Sequence, residues 1–198
     1  MKRLPDFTTA PEHALRGIFR GALILIVCCC PAVQASPYHI EISKSGRTLS
    51  VLQDRQVIKQ YRIAHGKGAP GAKIRAGDNK TPTGAYRAVR FKSNSKFHFF
   101  IQLDYPNPLD AWRGYQNEVI SAAEFKQIIL AYKRNSLPPQ DTGLGGYIGL
   151  HGIGPLTDEK NRIHAAHNWT EGCVALTNEE IIELRQYITR GARVVIRE

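Results

Sequence analysis

One cysteine and one histidine in this chain have surroundings suited to nucleophilic chemistry. Cys173 follows Gly172 in the run Asn168-Trp-Thr-Glu-Gly-Cys-Val-Ala-Leu176, and His151 stands 22 positions upstream in Gly149-Leu-His-Gly-Ile-Gly-Pro155. A thiol attacks as its thiolate, and an imidazole within reach takes the proton, so the two residue types make a nucleophile and its base. Gly172 lets the backbone come close to a substrate carbonyl, and the N–H groups of Gly172 and Cys173 are candidates to hold the oxyanion that attack creates. His151, once protonated, returns the proton to the leaving amine, and the product is a thioester acyl-enzyme.

His164 and His167 lie nearer to Cys173 in sequence, but they fall in a polar segment that reads as irregular. His151 closes the apolar run 147–150 and is followed by Gly152, so a strand end holds it more rigidly. With Cys173 the two other histidines offer zinc-ligand types, yet no closed four-ligand spacing is present and Cys173 lacks a Cys-x-x-Cys partner. The expectation is no metal and no cofactor. The triplets Asn79-Lys-Thr81 and Asn168-Trp-Thr170 match an N-glycosylation pattern that is frequent by chance, and they carry no weight.

The N-terminus decides how many thiols matter. Lys2, Arg3, Arg16 and Arg20 precede an apolar run over residues 21–30 and then Pro31-Ala-Val-Gln-Ala35. A basic flank, a short apolar core and small residues make residues 1–35 a secretory signal, with Val33 and Ala35 before a cut at Ser36. A basic flank of about 20 residues is long for such a signal and points to a start codon further in. The apolar run falls short of the roughly 20 residues that span a bilayer. Val27 is bulkier than the residue that usually precedes a lipidated cysteine, which argues against an anchor on Cys28. Processing removes Cys28, Cys29 and Cys30 and leaves Cys173 as the single thiol of the four in the chain. An unpaired thiol in an exported protein asks for a role, and a glycine-flanked site beside Thr170 and Glu171 is a poor place to bury one as a small hydrophobe. The protein is expected in the periplasm or facing the cell wall, without stable membrane insertion.

The remaining residues, 36–198, are enough for one domain with a real core and short for two. The whole chain has a formal net charge of +10, and residues 1–35 hold four of its 27 basic and two of its 17 acidic side chains, leaving +8 beyond the signal. The basic residues are scattered, as on a solvated surface, and favour an anionic partner. No nucleic-acid-binding motif appears, and export favours a carboxylate-bearing polymer or an acidic membrane face over nucleic acid.

Alternation predicts short strands over residues 38–43, 48–52 and 57–64, joined by turns at Ser45-Gly46 and Asp54-Arg55. Residues 66–84 read as a long functional loop rich in Gly, Pro and Lys, followed by strands over 85–90 and 97–103. The prolines of Asp104-Tyr-Pro-Asn-Pro-Leu-Asp110 mark a turn kept out of any helix. Ser121 with Glu124 and Thr177 with Glu180 are capping boxes that open two helices. The first packs through Phe125, Ile128, Ile129 and Tyr132, and the second runs to about Thr189 before Gly191 stops it. A buried segment at 174–176 and a last strand at 192–196 complete a mostly β, sandwich-like domain with about two peripheral helices.

A strand-borne His-Gly (His151-Gly152) paired with a downstream Thr-x-Gly-Cys (Thr170 to Cys173) resembles the L,D-transpeptidase catalytic domain of bacterial cell-wall enzymes. Gly77-Asp78, Thr81-Pro-Thr-Gly84 and Tyr105-Pro-Asn-Pro108 extend the resemblance over nearly all of residues 38–197. It implies a β-sandwich-like fold whose cysteine attacks the peptide stem of peptidoglycan. The bond attacked follows the L-centre of a diamino acid, a terminal D-alanine leaves, and the acyl group passes to another amine. The result is a 3–3 cross-link or a protein attached to the wall. Carried over by position, Cys173 is the nucleophile, His151 the proton acceptor and donor, and Thr170, Gly172 and Gly152 shape the oxyanion and substrate site, with Trp169 a candidate to bind substrate.

Two positions depart from the family's common pattern: Glu171 stands where a histidine is usual, and Ala175 where an arginine binds a carboxylate. Arg113 or Lys80 is a substitute candidate for that contact. A carboxylate at Glu171 raises the pKa of a neighbouring thiol. A hydrolase using the same acyl-enzyme and a non-catalytic peptidoglycan-binding protein are the alternative readings, and retention of both Cys173 and His151 speaks against the last. The position of residues 118–146 between the two motif regions suggests a lid. The oligomeric state is not legible in the sequence.

Overall fold

The computed structural model describes residues 37–198; the secretory signal read at 1–35 lies outside the described residues. Alternation builds the first hairpin. In β1 (Tyr38–Ser43) Ile40 and Ile42 point inward, and β2 (Thr48–Gln53) pairs antiparallel with it from Tyr38↔Gln53 to Ser43↔Thr48. β3 (Gln56–Arg62) follows across the Asp54-Arg55 turn, where both residues take positive φ. β4 (Gly84–Ser95), β5 (His98–Leu103), β6 (Gly149–His151), β7 (Val174–Ala175) and β8 (Arg193–Arg197) complete one eight-stranded mixed sheet in the order β3-β2-β1-β8-β4-β5-β6-β7. The β1–β8 and β6–β7 pairs are parallel and the rest antiparallel. β8 lies in the middle and buries Val194, Val195 and Ile196 together, as a strand covered on both faces must.

The sheet curls. β4 pairs with β8 through its first residues and with β5 through the rest, and register shifts between Ala88 and Arg90 and between Lys92 and Ser95 bend it. The chain leaving β3 then meets β7 through reciprocal Ala64–Ala175 hydrogen bonds of 3.0 and 2.7 Å, and through Lys67 N–H to Thr170 O at 2.9 Å. The outer edge of β7, next to Cys173, is thereby covered.

The described residues contain four helices, two more than the alternation and capping signals suggested: α1 (Pro108–Gln116), α2 (Ala122–Lys133), α3 (Asp158–Ala166) and α4 (Asn178–Leu184). α1 replaces the expected turn. Pro108 sits at the start of a helix, where its missing N–H costs nothing, and Asn107 with Asp110 forms the capping box. α3 replaces the irregular segment around His164. Only His164 of this helix is buried, so the sequence shows no apolar stripe, and the capping Thr157 with Asp158 and Glu159 in the first turn was the available signal. α2 and α4 begin at the expected capping boxes; α4 ends at Leu184, where Gln186 and Tyr187 bond back to Glu183 and Leu184 and tighten the chain into a turn. No described helix is long and apolar enough to cross a membrane.

Asn178, the first residue of α4, faces the loop after His151. Its side chain accepts from Gly154 N–H at 3.0 Å and donates to Gly154 O at 2.8 Å in a buried setting. Asn178→Ala leaves both Gly154 groups unpaired and is expected to cost about 2–4 kcal/mol. Urea unfolding measures it, and an unchanged midpoint would mean that the loop is held otherwise.

Candidate active site

His151 is placed by the sheet. It ends β6, faces Phe100 across β5 and Ala175 across β7, and is 1% exposed. Its Nδ1 lies 2.7 Å from Gly152 O. A carbonyl only accepts, so Nδ1 carries the proton of the neutral ring and Nε2 keeps a free lone pair. Phe97 stacks on the imidazole at 4.2 Å between centroids, and Trp169 meets it edge-on at 5.8 Å. Burial among these rings lowers the His151 pKa to about 4, only partly opposed by the Gly152 carbonyl, with the charges of His164 and Lys96 lowering it further. At Gly152 an added Cβ would stand 2.6 Å from Asn178 Oδ1 and 2.8 Å from Phe97 O, so the chain packs too closely there for a side chain.

Cys173 is placed by a clasp on its own carbonyl. Thr170 Oγ1 donates to Cys173 O at 2.6 Å, and Thr81 Oγ1, from the long loop, donates to the same oxygen at 3.4 Å. Each hydroxyl also accepts a backbone N–H, Thr81 from Gly66 at 2.8 Å and Thr170 from Gly172 at 3.2 Å. The second bond gives the Gly172 N–H, one of the two oxyanion candidates, a partner in Thr170. Gly172 also supplies shape: its φ is +139°, and a Cβ would lie 2.9 Å from both Ile148 Cδ1 and Lys80 O. The half-buried thiol donates to Tyr147 O at 3.4 Å. Burial pushes its pKa up to about 11; the Gly149 N–H and the Lys73 charge pull it down, while Glu171 adds a smaller upward push.

Cys173 and His151 line one cleft of ≈ 940 Å³ together with Trp169, Thr170 and Glu171. Arg113 and Lys80 do not line it. Arg113 is exposed on α1, and Lys80 Nζ reaches Pro70 O at 3.3 Å beside a second cleft. Ala175 is fully buried and bridged to Ala64, so its position gives no access to the cleft. Sequence reading passed over Tyr147, the Gly149 N–H, Phe97 and the cations Arg90, Lys92 and Lys96. The last three alternate along β4 and its turn with no chemical motif to mark them.

Residues 140–147, at the end of the suggested lid, make several hydrogen bonds. Gln140 donates to Tyr105 O at 2.8 Å and accepts from Gln102 Nε2 at 2.9 Å and from Tyr147 N–H at 2.7 Å. Tyr105 OH also donates to Leu144 O at 3.1 Å. These bonds tie residues 140–147 to Gln102 of β5 and to Tyr105 just beyond it, beside the Tyr147 carbonyl that meets the thiol. His164, meanwhile, accepts from Trp169 Nε1 at 3.4 Å. Among the described residues no group of three or more His, Cys, Asp or Glu side chains could hold a metal ion.

The curled β sheet thus brings Cys173 and His151 to one cleft. The chain belongs to the YkuD family, the L,D-transpeptidase catalytic domain, which it matches over residues 37–196. It is 27% identical over 168 residues to YafK of Escherichia coli strain K12, itself provisionally designated an L,D-transpeptidase, covering 82% of this chain and 51% of that protein. Among solved structures it is similar to Bd1075 of Bdellovibrio bacteriovorus (24% identity, TM-score 0.51, covering 82% of this chain and 48% of that one). It is also similar to the helical cell shape determining protein Pgp2 of Campylobacter jejuni (22% identity, TM-score 0.52, 83% and 49%). These two likenesses are of fold, and the chain spans about half the length of the relatives it matches.

Proposed function

We propose that this protein is an exported, cysteine-dependent L,D-transpeptidase that acts on peptidoglycan stem peptides, forming cross-links or attaching proteins to the wall. The observation that carries the reading is the shared cleft, lined by both side chains, with the His151 Nδ1–H committed to Gly152 O; on this proposal Nε2 is the ring nitrogen that takes the Cys173 proton. Both groups are neutral at pH 7, so the proton passes from Sγ to Nε2 as sulfur attacks the carbonyl. The Cys173 N–H is the donor assigned to the oxyanion. As the tetrahedral intermediate collapses, the C–N bond breaks and the leaving amine takes the proton from His151. The thioester then accepts an amine whose proton returns through His151, and the free thiol is restored.

The test is intact-protein mass after incubation with disaccharide-tetrapeptide, with Cys173→Ala alongside, followed by analysis of the muropeptides. The expected result is an adduct on the wild type alone, together with dimeric muropeptides. Trimmed monomer in place of dimer would assign a hydrolase with the same acyl-enzyme. Binding without any adduct would overturn the catalytic reading in favour of a non-catalytic wall-binding protein.

A further inference from the structure

Register across the sheet brings a second set of groups to the cleft. Lys92 pairs with Phe100, and Phe100 in turn pairs with His151; one step along, Arg90 pairs with Gln102 and Gln102 with Gly149. Directly paired residues point to the same face of a sheet, and Arg90, Lys92, Phe100, Gln102 and His151 all line the cleft. Lys96, in the turn that follows, holds its Nζ 5.0 Å from the centre of the Phe97 ring that stacks on His151. Lys44, Lys73 and Arg87 are committed to Glu198, Asp78 and Asp104, but among the described residues Arg90, Lys92 and Lys96 make no ion pair. Glu171 is the one acidic residue lining the cleft against these three cations.

We propose that Arg90, Lys92 and Lys96 form an anion subsite that takes a free carboxylate of the peptide bound at Cys173. The proposal deepens the function proposed above and rests on it for the identity of the ligand as a peptide. Adjacent strands stand about 4.8 Å apart, so the Lys92 backbone lies roughly 10 Å from that of His151. An extended peptide covers this in about three residues. The carboxylate therefore lies within about three residues of the attacked bond, a range that includes the leaving residue and the diamino acid.

Two measurements test it. The first is the affinity of Cys173→Ala for a tetrapeptide with free carboxylates, for its C-terminal amide, and for the form amidated on the diamino acid. One of the amides is expected to bind about tenfold more weakly, which identifies the carboxylate, and the difference is expected to fall below about twofold when Arg90→Gln and Lys92→Gln are added. Equal binding of all three peptides would overturn the subsite while leaving the peptide-binding reading intact. The second uses no natural substrate: the rates at which wild-type Cys173 reacts with 6-maleimidohexanoic acid and with N-hexylmaleimide. Their ratio is expected to fall about threefold in Arg90→Gln/Lys92→Gln, and again in Lys96→Met, and to shrink with added salt. An unchanged ratio would overturn the subsite. A ratio that falls as expected, with no peptide bound, would keep the anion subsite and sink the peptidoglycan reading. Arg90, Lys92 and Lys96 are exposed, so these substitutions leave the core untouched.

Discussion

His151→Ala is expected to slow acylation of Cys173 by about a thousandfold at pH 7, with the deficit closing as pH rises. With its pKa pushed up to about 11, the thiol is ionised unaided in only about one molecule in ten thousand at pH 7. On the proposed mechanism the imidazole supplies the missing base, and with a pKa of about 4 it holds its lone pair free at any pH above about 5. In the wild type the acylation rate should therefore fall only as pH drops through about 4 and stay level through neutrality. In His151→Ala it should climb about tenfold per pH unit toward 11, because hydroxide then does what the base did. A pH series of single-turnover acylation reads both curves. A wild-type thiol whose alkylation levels off below pH 7 would show a preformed thiolate–imidazolium pair and sink this account.

Asp78→Ala is expected to destabilise the domain by about 3–5 kcal/mol. Asp78 Oδ1 accepts from Lys73 Nζ at 2.7 Å and from Lys80 N–H at 3.0 Å, and Oδ2 accepts from the N–H groups of Ile74 and Arg75 at 2.8 and 3.1 Å. The Lys73 and Asp78 side chains are 4% and 7% exposed, so removing the carboxylate strands a buried ammonium. Burial raises the Asp78 pKa, but Lys73 and the three N–H groups outweigh it and hold the carboxyl below the ordinary value of 3.8. A depressed folded-state pKa contributes stability that is present above the unfolded value and lost as pH falls through the folded one. The Asp78 contribution should accordingly be whole at neutral pH and vanish in acid. Adding Lys73→Met to Asp78→Ala should recover a good part of the loss, and a double variant no more stable than the single one would refute the stranded-charge explanation. The same loop carries Thr81 to the Cys173 carbonyl, so the single variant should also acylate more slowly.

Much of the framework was readable because it is written in local terms. The period-two alternation of β1 and β2 and the capping boxes at Ser121 and Thr177 concern residues a few positions apart, and the elements stand where those signals placed them. α1 was misread because Pro108 was taken as a breaker when its position made it a helix start. α3 was missed because a helix exposed on nearly every side has no apolar stripe to display.

The sequence by itself determined which side chains have chemistry to offer: an unpaired thiol behind a glycine, an imidazole at the end of an apolar run, and no close set of metal ligands in its spacing. Only the tertiary structure decided how they are placed. Thr81 and Cys173 are 92 positions apart and share a hydrogen bond. The Gly172 N–H proved to have a partner in Thr170. Lys80 and Arg113 lie outside the cleft, while Arg90 and Lys92 enter it through cross-strand pairing. Register, burial and the direction of a backbone N–H are products of long-range packing, and a charge read along one chain does not say which groups it will face once the sheet has curled.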